Sequence, residues 1–76
     1  MKDFKTIVTE HFKIPASDVT DALTAKDIPA WDSMNYLLFI AELEKEYGVS
    51  FTMDEVLTAD SLGTIRSLLR SKGAPV

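Results

Sequence analysis

The chain contains no cysteine, which excludes a disulfide framework and a thiolate metal site. Glycine is scarce, and Gly48, Gly63 and Gly73 stand far apart, so there is no glycine-rich phosphate loop. Histidine occurs once, as His11 among Glu10, Phe12 and Lys13. It is expected to be a surface or boundary side chain, and it leaves a serine hydrolase without a plausibly placed base. Asp54, Glu55 and Asp60 lack the alternating oxygen ligands and central glycine of a calcium loop. The longest apolar run, Tyr36 to Ala41, is far short of the ~20 residues that span a bilayer. The first residues, Met1-Lys2-Asp3-Phe4-Lys5, put charges where a signal peptide carries its apolar stretch. The expectation is a soluble cytoplasmic protein, not an enzyme.

What remains is a chain of 76 residues, 46% hydrophobic and 26% charged. That composition belongs to one small globular domain over residues 1–76, burying about 60% of the surface its unfolded form exposes. The net charge of −4 is unevenly placed. Residues 32–60 carry seven acids against Lys45 alone, whereas Arg66, Arg70 and Lys72 lie in a tail free of acids. An acidic middle repels phosphate backbones, so nucleic acid is not an expected partner. It attracts partners with basic docking surfaces instead.

Four helices and no strand are predicted, at about 2–13, 33–47, 53–58 and 61–72. In the first, Phe4, Ile7, Val8 and Phe12 recur at helical spacing, and Pro15 forbids continuation. A long connection follows to Asp32, rich in turn residues, with Val19, Leu23 and Ile28 placed to pin it to the core. The second helix ends at Gly48, the residue type suited to a left-handed cap. Thr52 and Glu55 form a Thr-x-x-Glu capping box ahead of the short third helix. Leu62, Ile65, Leu68 and Leu69 give the fourth its apolar stripe. The fold class is all-α, a small four-helix bundle.

The second helix opens unusually. Phe39, Ile40, Leu43 and Tyr47 make one core face, which leaves Met34, Leu37, Leu38 and Ala41 on other faces. These are either covered by the long loop or offered to a partner. Just ahead stand Trp31, Asp32 and Ser33, two adjacent candidate caps after an aromatic expected to cover the helix start. A phosphate on Ser33 would lie at a helix N-terminus, where free backbone donors and the dipole favour negative charge. The alternative is a helical interaction module in which Ser33 only caps the helix.

Trp31-Asp32-Ser33-Met34, followed by Leu43-Glu44-Lys45-Glu46-Tyr47-Gly48-Val49, resembles the acyl carrier protein family and its peptidyl-carrier relatives. Their signature is Asp-Ser-Leu and then a helix ending Leu-Glu-Glu-Glu-Phe-Gly-Ile. The resemblance implies a 4′-phosphopantetheine arm on Ser33, installed from coenzyme A by a phosphopantetheinyl transferase. Asp32 and Met34 would flank the attachment. The arm's thiol would carry acyl or aminoacyl groups as thioesters, brought by a loading ligase and used by synthase or transferase enzymes. A monomer is expected. Docking is expected over Trp31, Asn35, Leu37, Leu38, Glu42, Glu44 and Glu46. Met34 after the serine is a volume-conserving departure. Two others, the neutral Asn35 and Leu38 where fatty-acid carriers have acids and Trp31 before the aspartate, point to a stand-alone, specialised carrier.

Overall fold

The computed structural model describes residues 2–76. Among these residues four helices make the bundle, α1 (Phe4–Phe12), α2 (Ser33–Tyr47), α3 (Met53–Thr58) and α4 (Leu62–Ser71), with a 3₁₀ turn at Ala16–Asp18. No strand occurs among the described residues.

Each helix starts on a side chain that satisfies a backbone donor the helix cannot. Asp3 accepts from the Thr6 N–H, Asp32 from Asn35, Thr52 from Glu55 and Ser61 from Thr64. Because Asp3 is a cap, α1 begins at Phe4 rather than Lys2. It stops at Phe12 because Lys13 turns left-handed, ahead of Pro15. Gly48 closes α2 at φ 65°, and both its N–H and that of Val49 donate to the Glu44 carbonyl. At Thr52 the predicted capping box is complete, since the Glu55 carboxylate accepts the Thr52 N–H at 2.8 Å.

The core is a cluster of rings and branched chains. Phe39 is fully buried, its ring centroid 5.0 Å from Phe12 and 6.2 Å from Phe4. Ile7, Val8, Leu43, Leu62, Ile65 and Leu69 close around it. Leu68, expected in the α4 stripe, is only half-buried.

The long connection is ordered by the start of α4. Leu62 donates its N–H to the Leu23 carbonyl at 3.0 Å, and Gly63 donates to Asp21 at 2.9 Å. These bonds use donors left free at a helix N-terminus. They also explain the glycine, since a Cβ at Gly63 would lie 2.9 Å from both the Cβ and the carbonyl oxygen of Asp21. Ile28 is buried, while Val19 and Leu23 pack at the edge of the core. Arg66 reaches back to Asp21 at 3.4 Å.

Candidate functional site

The site is built on the first turn of α2. Asp32 is its cap, with the carboxylate 2.9 Å from the Asn35 N–H and the backbone carbonyl accepting from Tyr36 at 2.8 Å. Ser33 is therefore the first helical residue and not the cap. Its side chain is exposed, and the cap bond of the helix is made by Asp32 and not by its hydroxyl. The N–H groups of Ser33 and Met34 precede the reach of intrahelical bonding. An anion attached at this hydroxyl meets those donors and the positive end of the helix dipole, worth about 0.3–1 kcal/mol at a surface.

Asn35 holds the turn from three sides. Its N–H donates to Asp32, its side-chain amide donates to the Ala30 carbonyl at 2.9 Å, and its own carbonyl faces His11 Nε2 at 2.7 Å. A carbonyl only accepts, so Nε2 carries the proton in that bond. His11 is nearly buried, wedged between α1 and α2 against the rings of Phe12 and Phe39. Its Nδ1 faces Glu42, 3.8 Å away. Sequence reasoning placed His11 at a boundary and missed this link to the first turn of α2, because 24 residues separate the two partners.

Trp31 is a core residue, only 9% exposed, stacked on Phe12 at 5.5 Å and on Tyr36 at 5.5 Å. Expected among the docking side chains, it keeps little surface of its own, because both neighbours are rings that reward stacking over exposure. Tyr36 lies half-buried above it and donates its hydroxyl to the Val56 carbonyl at 2.7 Å, fastening α3 to the front of α2. Burial raises the Tyr36 phenol above its ordinary range, which keeps the donor proton in place.

The apolar surplus of α2 is not covered by the long loop. Met34 is 73% exposed, Leu37 53% and Leu38 55%. The α3 helix adds Met53 and Leu57, which are also exposed and which sequence reasoning did not single out. A short helix with few inward positions gave little periodicity to read. The acids further along α2 are partly committed to the fold. Glu44 accepts the Phe51 N–H at 2.7 Å and Glu46 accepts the Lys2 N–H at 2.8 Å. Asn35 and Glu44 thus act on the chain's own backbone, whatever else they meet.

Compared with known families, residues 3–69 match the phosphopantetheine attachment site family. The chain belongs to this family. It is a carrier and not an enzyme, and its cofactor is 4′-phosphopantetheine, held covalently on a serine. Carriers of this kind meet enzymes such as transferases and synthases. Comparison with curated proteins returns no match. The residues at the start of α2 suit the group: an exposed hydroxyl on the first helical residue and two backbone donors beside it. Among the described residues no helix is long and apolar enough to cross a membrane.

Proposed function

We propose that Ser33 carries the arm and that the protein presents acyl or aminoacyl thioesters to dedicated partner enzymes. The observation that carries this reading is the exposed hydroxyl at the first position of α2, inside the family match. The chain has no histidine, lysine or arginine close in sequence to Ser33 that could activate it. The transferase therefore supplies the base. The serine oxygen bonds to the phosphorus bearing the pantetheine, the diphosphate bond of coenzyme A breaks, and the adenosine bisphosphate leaves. The proton of Ser33 goes to the transferase.

When bound, the arm supplies the thiol that the cysteine-free chain lacks. The protein's own residues present it. Asp32 and Asn35 fix the turn, and Met34, Leu37 and Leu38 offer an apolar face to partners, with Met53 and Leu57 on α3. Glu42 and Glu46 lend partial charge to the far end of α2. A partner that reads such a face by shape gains little from a basic surface, which sets this carrier apart from the acidic fatty-acid type. The cytoplasm, with its coenzyme A, is the compartment proposed. Co-expression with a broad-specificity phosphopantetheinyl transferase followed by intact mass measurement tests the reading. Wild type gains one arm and Ser33→Ala gains none. A bare wild-type chain, or an arm on Ser33→Ala, ends the proposal.

A further inference from the structure

The Ser33 side chain opens on a shallow depression of about 200 Å³, lined by Ala25, Trp31, Asp32, Ser33 and Tyr36. Ala25 and Trp31 also line a second hollow of about 390 Å³, completed by Thr24, Lys26, Ala59 and Asp60. Two shared residues make these one groove, running from the attachment point toward the α3–α4 junction. Its floor is apolar, formed by the edge of Trp31 with Ala25 and Ala59. Its rim is polar, formed by Thr24, Lys26 and Asp60.

Both walls are held. Thr24 donates its N–H and its hydroxyl to the Asp27 carboxylate, at 3.1 and 3.2 Å, and Lys26 donates its N–H to the Thr24 hydroxyl. Just upstream, the Leu23 and Asp21 carbonyls are bonded to the first turn of α4. The loop wall and the α3–α4 wall are thus tied to the same helix start, and the groove exists before anything enters it. The bundle interior is the competing location. Phe39 fills it, packed on Phe4, Phe12 and His11, with Leu43, Leu62 and Ile65 fully buried around it. A chain entering there must displace a ring at native packing density.

Resting on the assignment of the arm to Ser33, we propose that the loaded arm lies outside the bundle in this groove. No long alkyl chain would thread between the helices, where Phe39 fills the space. The occupant fits by chemistry. Pantetheine has a geminal dimethyl group for the Trp31–Ala25–Ala59 floor, and a hydroxyl and two amides for the Thr24, Lys26 and Asp60 rim. It enters from the residue to which it is bonded.

The chain helps the test, because Trp31 is its sole tryptophan and the arm brings its sole thiol. Intact mass first shows whether one arm is present. Amide chemical shifts and Trp31 emission are then compared between apo and holo protein, and the reaction of the arm's thiol with an aromatic disulfide is timed against free pantetheine. An arm docked nine-tenths of the time reacts about tenfold more slowly than free pantetheine. Shifts at Thr24–Lys26, Ala59 and Asp60 with a change in Trp31 emission are expected. In holo Ala25→Phe, which fills the groove from an exposed position, the thiol reacts at the free rate and the Ala59 and Asp60 shifts vanish. An arm present by mass, but with shifts confined to residues 32–36 and an unprotected thiol, overturns the groove while leaving the Ser33 assignment standing. Shifts clustered at Phe39, Leu62 and Ile65 overturn it in favour of the interior. No arm by mass removes both.

Discussion

The helices α4 and α2 treat their apolar residues in opposite ways. In α4, Leu62, Ile65 and Leu69 are fully buried, Arg70 lies toward solvent and Arg66 is half-buried beside Asp21. Its apolar stripe is accounted for by the core. In α2, Phe39, Ile40 and Leu43 do the same work, yet Met34, Leu37 and Leu38 remain more than half exposed. Full burial of a leucine contributes roughly 1.5–3 kcal/mol, and much of that is forgone while these three stay more than half exposed. The comparison separates side chains that hold the bundle from side chains that wait for something else, and it locates the second kind beside Ser33.

Truncations give the widest contrast. Leu69→Ala should destabilise the protein by about 2–5 kcal/mol, the range for a buried leucine that leaves a cavity. Leu37→Ala should change stability by no more than about 0.5 kcal/mol, as for a surface site. Urea unfolding measures both, and a comparable loss in each would erase the distinction between the two helices.

The next effect sharpens the meaning of the exposed set. Leu38→Glu should leave the unfolding midpoint nearly unchanged and slow turnover by a loading or synthase partner roughly tenfold, the equivalent of about 1.4 kcal/mol at an interface. Unchanged turnover together with unchanged stability would mean that no partner reads this face.

Gly63→Ala probes α4 from its other side, where the helix receives the loop. Alanine favours helix by about 1 kcal/mol over glycine, but its Cβ meets Asp21 at 2.9 Å. Overpacking of about 1–3 kcal/mol should win, with amide shifts spreading through residues 20–27. A stabilised variant with an unmoved loop would show that the two walls are not tied there.

At the start of α2, Asp32→Ala should cost about 1 kcal/mol through loss of the cap, and Ser33→Ala close to nothing, because Ser33 is not the cap. Paired thermal unfolding of the two variants decides whether the hydroxyl has any structural duty. Equal losses would return Ser33 to the role of a capping residue.

The smallest effect is a pH dependence at α3. The Thr52 N–H, and then Lys72, hold the Glu55 carboxyl below the usual carboxylate range. A depressed carboxyl stabilises the fold above its unfolded value and ceases to do so as pH falls through its folded one. Unfolding temperature should therefore drop slightly as pH is lowered from the ordinary carboxylate range downward, and Glu55→Gln should flatten that part of the profile.

Periodicity and caps made most of this fold legible. Four inward residues at helical spacing identified α1, Thr52 with Glu55 marked the start of α3, and Gly48 marked the end of α2, because each signal is confined to one turn or one face. The start of α1 was placed too early for the same reason: Lys2 and Asp3 are both polar, and only the bond to Thr6 distinguishes a cap from a first helical residue. Ser33 stood out through its neighbours. The setting of Trp31 did not, since an aromatic beside a helix start reads alike whether two rings stack on it or none does.

Local order along the chain was enough to specify which segments become helical, where they are capped and which serine opens α2, since capping and helical spacing act within a few residues. Pairings between distant residues needed the tertiary structure: His11 with Asn35, Asp21 with Gly63, and Trp31 with Phe12. Only the packed chain decided that the surplus of α2 faces water, because exposure depends on what the long loop covers. That loop turned instead to the first donors of α4, and the face beside Ser33 was left open.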